Sequence, residues 1–348
     1  MHLSTITLKD IAKALNITPS TVSKALRDSH EISGKTKSMV LEYARKHNYY
    51  PNPIAQGLKK GASKSIGVVV STIDNQFFSQ VINGIESEAY RQGYHVIITQ
   101  THESALREAA NVNHLTHRSI DGLLISLSTE TEDVTYLQRL QQQGLPIVFF
   151  DRITSQINTH KVIVDNFTGA YEATAHLINC GYKRIAHITS SVNTSITNER
   201  LDGFKQAMTD YGMHLEPSYV KHCVHGGRDV DEVNQALDEL LSSDIRPDAI
   251  FTAWDRLTTT TLTSLKTRNI KIPGDIALLG FTNTMLAADL NPPLSVVYQP
   301  ALEMGRRATA MLLNLIGNKQ PVTQFETLVL PATLIIRQSS SGSNVASE

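Results

Sequence analysis

Residues 7–26 read TLKDIAKALNITPSTVSKAL, and the fold of the chain's N-terminal segment follows from them. Thr7 with Asp10 three residues on is a capping box. Ile11, Ala12 and Leu15 then mark one helical face, and Asn16 suits a left-handed residue closing the helix. Thr18 is a second N-cap, with Pro19 at the first helical position, where a missing N–H costs nothing. Val22 and Leu26 supply the inward face. Two short helices across a tight turn make a helix-turn-helix. Ser33 caps a third helix running to about His47, with Met39, Val40, Tyr43 and Ala44 available to cover the first two. The outward positions of the second helix are Pro19, Ser20, Thr21, Ser23 and Lys24. They are small, hydrogen-bonding or basic, as suits a helix whose N-terminal residues meet base edges in a major groove. Any helical hairpin can show a polar face; the caps, the turn and the charge together make the pattern specific.

Residues 1–64 hold nine Lys and two Arg against two Asp and two Glu, a formal +7, in a chain whose total is −1. A basic head on a mildly acidic body points to a polyanion-binding module joined to something else. At 348 residues, 41% apolar and 19% charged, the chain exceeds one ordinary core and does not read as disordered. Cys180 and Cys223 form neither a disulfide framework nor a metal-ligand spacing, so two thiols in a reducing compartment are expected. The start of the chain lacks a signal peptide's charged and apolar pattern. No apolar run reaches the ~20 residues of a membrane span, so a cytoplasmic protein without a membrane partner is expected. No Walker motif, Gly-x-Ser-x-Gly elbow or dinucleotide glycine fingerprint is present, which argues against an enzyme. No metal and no cofactor are expected.

Tyr50-Pro51-Asn52-Pro53-Ile54-Ala55-Gln56-Gly57-Leu58-Lys59-Lys60-Gly61 reads as a linker. A single helical turn from Pro53 to Leu58 would form only with help, because Gly57 weakens it. The expected organisation is a headpiece over 1–48, a hinge over 49–62 and a body over 63–337. In the body, apolar strands at 66–70, 96–98, 122–125 and 147–150 alternate with helices at 104–117 and 134–143 and one carrying Val81, Ile82, Ile85 and Ala89. That order implies a parallel sheet covered on both faces. The pattern restarts after Asp165. Gly84-Ile85 with Ala89 is echoed by Gly203-Phe204 with Ala207, which suggests two similar α/β halves. The expected first lobe is about 63–162 and 292–325, and the second about 163–291 and 326–337. The Ser-rich tail from Gln338 to 348 is expected to be disordered.

Thr7-Leu8-Lys9-Asp10-Ile11-Ala12, then Thr21-Val22-Ser23-Lys24, then Tyr49 through Leu58 resemble the headpiece and hinge of lac-repressor/galactose-repressor regulators, and the resemblance extends to about Arg337. It implies an all-α helix-turn-helix headpiece on a two-lobed, periplasmic-binding-protein-like α/β effector domain. It implies a transcriptional regulator that binds a pseudo-palindromic double-stranded operator as a homodimer, with affinity modulated by a small molecule, by default a sugar or sugar derivative. By that resemblance Pro19, Ser20 and Lys24 read bases. Thr7, Thr21, Ser23, Ser33, Thr36, Tyr49 and Asn52 lie near phosphates, and Leu58 is a minor-groove wedge. Lys37 is a further candidate for a phosphate contact. A periplasmic-type solute receptor is the alternative class, against which the basic head weighs.

Effector contacts implied by the resemblance are Ser71, Asn75, Phe77, Phe78, Asp151, Arg200, Trp254, Asp255 and Thr282, with Asp165 and Glu199 nearby. Arg200 offers a fork for hydroxyls or a carboxylate. Phe77 and Phe78 either stack on a ring or pack in the core, and Asp151 either accepts hydroxyl protons or caps a turn. The family commonly has Asn where Trp254 stands and an acid where Thr282 stands, so effector identity does not carry over from better-known members.

Overall fold

The computed structural model describes residues 6–49, 63–190, 194–318, 320 and 322–342. Hinge positions 50–62, with Asn52 and Leu58, lie outside them. The chain divides into two compact units, 1–64 and 65–348.

In the first unit, α1 (Leu8–Ala14), α2 (Pro19–Leu26) and α3 (Gly34–Lys46) start where their caps place them. The Thr7 N–H and hydroxyl donate to Asp10 Oδ2 at 2.8 and 2.6 Å, and the Asp10 N–H returns to Thr7 Oγ1 at 3.3 Å. Thr18 and Ser33 accept from the N–H groups of Thr21 and Thr36. Asn16 takes φ 53°, the left-handed turn residue the motif needs. Ile11, Ala12, Val22, Ala25, Val40 and Ala44 form the small core, flanked by Leu15, Ile32, Tyr43 and Tyr49.

The second unit contains two six-stranded sheets. Among the described residues the first has the order β11-β5-β4-β3-β1-β2, all parallel. Its strands are β1 (Ser65–Val70), β2 (His95–Gln100), β3 (Gly122–Ile125), β4 (Ile147–Phe150), β5 (Lys161–Val164) and β11 (Thr327–Leu330). The second has the order β12-β10-β9-β8-β6-β7, parallel except for β12. Its strands are β6 (Ile185–Thr189), β7 (Val220–His222), β8 (Ala249–Thr252), β9 (Ala277–Phe281), β10 (Ser295–Tyr298) and β12 (Thr333–Ile335). The helices of this unit are α4 (Gln76–Arg91), α5 (Ala105–His117), α6 (Thr135–Gln142), α7 (Asn166–Asn179), α8 (Ser195–Asp210), α9 (Val230–Leu241), α10 (Asp255–Thr267) and α11 (Ala301–Gly317). Apolar clusters cover both faces of each sheet.

The glycine echo has a packing cause. A Cβ on Gly84 would sit 2.1 Å from the Leu302 carbonyl oxygen, and one on Gly203 would sit 2.3 Å from that of Phe167. Each glycine lets its helix touch a neighbour's backbone, α4 on α11 and α8 on α7.

Three assignments differ from the sequence expectation. Residues 295–298, expected in the first lobe, pair with β9 in the second sheet, and 327–330, expected in the second, pair with β5 in the first. Both strands are short and apolar, and partner choice is set by where the chain already lies. The chain therefore crosses between sheets at Asp165, at Gln299–Pro300 and at Pro331–Ala332. β5, β7 and β12 were not expected: β7 and β12 carry three residues each, too few to announce themselves, and β5 opens on the charged Lys161 and not on an apolar run. Finally, Gln338–Ser340, expected to be disordered, is a turn of 3₁₀ helix with Ser339 and Ser340 buried. Ser339 Oγ donates to the Leu278 carbonyl at 2.6 Å and accepts from the Ser295 N–H at 2.8 Å. Small hydroxyls there satisfy backbone groups at the starts of two interior strands, β9 and β10.

His187 on β6 is fully buried, with its ring 4.8 Å from Phe204 and 5.0 Å from Phe251. Neither ring nitrogen finds a hydrogen-bond partner among the described residues. Burial pushes its pKa down to about 3; the Phe251 backbone tempers the shift. An unfolded histidine titrates near 6.5. Above that pH both states are neutral and the group has no effect. Below it only the unfolded chain gains a proton, so stability falls by about 1.4 kcal/mol per pH unit. Between pH 7 and pH 5 the native chain should lose about 2 kcal/mol more than His187→Phe, read from urea unfolding at each pH.

Candidate functional site

Two regions gather the candidate residues, one in each unit. In the headpiece, Pro19 and Ser20 are exposed and Thr21, Ser23 and Lys24 half-exposed on α2. Thr7, Thr21, Ser33 and Thr36 sit at the N-termini of the three helices, where backbone N–H groups point outward and favour anions. Tyr49 packs partly against the headpiece core. Lys24 Nζ is ion-paired with Glu31. Lys37 does not stand free for a phosphate: its Nζ holds the Asp28 carboxylate at 2.7 Å and carbonyl at 3.3 Å. Asp28 has φ 53°, so Lys37 secures the turn after α2.

In the body, a cleft opens at the C-terminal ends of both sheets. It is lined by Ser71, Asn75, Phe77, Phe78, Asp151, Arg200, Trp254 and Asp255. Asn75 caps α4, accepting from the N–H groups of Phe77 and Phe78 at 2.8 and 3.4 Å. The two phenylalanines meet edge to face at 5.3 Å. They line the cleft and belong to the first lobe's core at once. Asp151 follows β4 at φ 60° and accepts from Ser126 Oγ at 3.2 Å. Burial raises its carboxyl pKa against the pull of Arg152 and Arg200. Asp255 opens α10 and is raised by burial, against the hydrogen bond donated by Thr282. Thr282 lies behind Asp255 and reaches the cleft only through it. Asp165 caps α7, accepting from the Thr168 N–H at 3.0 Å, and Glu199 accepts from Asn166 at 3.0 Å; neither lines the cleft.

Arg200 is 3% exposed, and each of its nitrogens is engaged by the protein. Nε donates to Asn166 Oδ1 at 2.9 Å, one terminal nitrogen to the Ala253 carbonyl, and the other to Gln299 Oε1 at 3.1 Å. Its guanidinium carbon lies 3.7 Å from the Phe281 ring centre. Burial draws its pKa down to about 9, offset in part by Asp151, so it is charged at neutral pH.

Several cleft residues escaped the sequence reading. Arg152 is 7% exposed and bonds Glu103 at 2.5 Å. Burial alone would raise the Glu103 carboxyl; Arg152 and the Thr129 N–H hold it below the ordinary range. Glu103 lies 49 residues from Arg152, so only the latter's place beside Asp151 was a signal. Arg152 and Arg200 lie 5.2 and 5.4 Å from the Trp254 ring centre. The Trp254 N–H and Arg152 Nε are covered and find no acceptor among the described residues. Arg256 pairs with Asp74 across the cleft, and Asn283 donates to Gln80 at 2.7 Å beside it.

Residues 7–52 match the model of bacterial regulatory proteins of the lacI family, and 174–340 match a periplasmic binding protein-like domain. The ribose operon repressor of Haemophilus influenzae is 31% identical over 333 residues, 96% of this chain and 98% of that protein. The transcriptional repressor PurR of the same species (strain PittEE) is 29% identical over the same shares. A solved complex of the regulator CelR with cellobiose superposes with TM-score 0.70 at 26% identity, covering 96% of this chain and 99% of that one. The operator-bound lac repressor dimer superposes at 0.79 with 22% identity over 96% of this chain and 99% of that one, a likeness of fold alone.

Arg200→Ala would strand Asn166 Oδ1, the Ala253 carbonyl and Gln299 Oε1 in covered volume. It should cost about 3 kcal/mol or more in denaturant unfolding, with Arg200→Lys recovering only part. A loss below about 1 kcal/mol would mean that water reaches these acceptors.

Proposed function

The chain belongs to the lacI family of bacterial regulatory proteins, and we propose that it is a homodimeric, cytoplasmic repressor whose hold on a pseudo-palindromic operator is set by a carbohydrate in the cleft. Members of this family bind DNA sequence-specifically and respond to small-molecule effectors, and this chain is such a regulator. The observation that carries the proposal is the gathering of eight of nine expected effector residues in one cleft, on a unit separate from the capped helix-turn-helix.

Asp151 and Asp255 supply acceptors for hydroxyl protons, while Phe77, Phe78 and Trp254 supply apolar faces, the mixture a sugar ring requires. The covered N–H groups of Trp254 and Arg152 are donors that an effector oxygen would satisfy as the lobes adjust around it. The relative solved with cellobiose and the relative named for a ribose operon support a carbohydrate. In the headpiece, Pro19, Ser20 and Lys24 read bases. Thr7, Thr21, Ser23, Ser33, Thr36 and Tyr49 hold phosphates, with Asn52 and the Leu58 wedge assigned from the sequence alone. A single headpiece spans too few base pairs for useful specificity, so two are required. The body has surface for pairing: Ile73, Ile98 and Leu106 are exposed at or near the open β2 edge, and Met285 and Leu286 after β9. No helix among the described residues is long and apolar enough to cross a membrane. The family is one of regulators, and no reaction is assigned to the cleft.

Two measurements test the reading. Leu106→Asp should shift the body from dimer to monomer in sedimentation and weaken operator binding; a wild-type monomer on operator overturns the dimer. Separately, calorimetry with a mono- and disaccharide panel including ribose and cellobiose should find a ligand. Trp254→Ala should weaken that ligand about tenfold or more while sparing ligand-free operator binding, and Lys24→Ala should do the reverse. A variant that lowers both alike overturns the division between the two units.

A further inference from the structure

We propose that Glu31 is a positioning residue for Lys24, so that ammonium and carboxylate read one G·C-containing step of the operator together. The inference rests on the assignment of Lys24 to base edges given above. It is carried by the construction of the turn after α2, whose backbone is pinned at several points. The Asp28 N–H donates to the Ala25 carbonyl at 3.1 Å, the Ser29 N–H to the Lys24 carbonyl at 3.0 Å, and the Ile32 N–H to the Ser29 carbonyl at 3.2 Å. Ile32 packs against the headpiece core, and Lys37 clamps Asp28 from α3. A turn so fixed returns the Glu31 carboxylate onto the Lys24 ammonium. The two side chains are 51% and 38% exposed. An ion pair that open to water adds little to the fold.

Its consequence falls on the DNA. Lysine alone is a mobile point charge, and a carboxylate bound to it restricts its rotamers and directs its remaining donors. Wherever Lys24 Nζ reaches a base edge, Glu31 is brought beside it. In the major groove lysine donates to guanine O6 and N7, while glutamate accepts from the cytosine N4 amino group. The pair therefore fits guanine next to the amino group of a cytosine. It rejects thymine, whose O4 would face a carboxylate. The same negative charge repels phosphates and weakens binding to arbitrary sequence. Glu31 thus gives up affinity for discrimination.

The test uses the full chain, randomised duplexes and gel-shift titration. Wild type should select a G·C pair at one position of each half-site. Glu31→Gln, nearly isosteric, should flatten that preference about fivefold or more and tighten binding to random duplex about threefold or more at low salt. Glu31→Asp should restore part of the preference. Glu31→Gln, Glu31→Asp and Lys24→Ala should each melt within a degree or two of wild type, which a purely structural role would not explain. If Lys24→Ala erases the preference and Glu31→Gln leaves both preference and random-duplex affinity unchanged, Glu31 is a spectator and the inference fails alone. If Lys24→Ala itself leaves base preference intact, the assignment of Lys24 fails and the inference falls with it.

Discussion

A guanidinium taken out of water must find its acceptors in the protein, and the surroundings of Arg200 are arranged around that demand. Asn166 stands just past the first crossing between the sheets and Gln299 at the second; Arg200 binds both. The Asp165 N–H at the first crossing donates to the Leu330 carbonyl at the third, at 2.9 Å. The three connections are thereby tied to one another and to the cleft end of the second sheet. Any motion of the lobes that kept these bonds would have to pivot about this knot, which favours rotation of rigid lobes over deformation within them.

The cleft's other polar contacts differ in where they sit. Arg152 with Glu103 is buried and lies within the first lobe, so breaking it would leave an uncompensated charge. Asp74 with Arg256 spans the lobes at the surface, where such pairs contribute little and are readily exchanged for water. A buried pair holds the first lobe together, while a surface pair and the Asn283–Gln80 hydrogen bond join the two lobes. A ligand of modest differential affinity is then enough to shift the balance between lobe arrangements.

Much of this was legible in the sequence because it is local. Thr7 with Asp10, Thr18 with Pro19, and Ser33 each fix a helix start within four residues, and Asn16 declares its own left-handed turn. The glycine echo at 84 and 203 was visible as a pattern, but its cause, a backbone carbonyl under each glycine, needed the packing. The strands at 295–298 and 327–330 went to the opposite sheets from those expected because an apolar tetrapeptide carries no record of its partner. Arg200 was recognised as a cleft residue, yet its binding by Asn166 and Gln299, 34 and 99 residues away, was out of reach. Lys24 was read correctly as outward-facing, but Glu31 seven residues later gave no sign of meeting it.

The contact between Gly84 and Leu302 has a consequence for how the protein is made. The first lobe's core includes Ala301, Met304, Ala308 and Leu312 from α11, and its sheet is completed by β11. Synthesis runs from the N-terminus, so Val68, Phe77 and Ile85 leave the ribosome long before the helix that covers them. The lobe that begins first cannot close until β11 is made at residue 330, and its apolar face stays open while nearly all of the second lobe is translated. A nascent chain of this design offers a chaperone a long-lived binding surface. A frameshift or stop after about residue 290 would release a protein with a folded headpiece and an unfinished first lobe, a species marked for proteolysis.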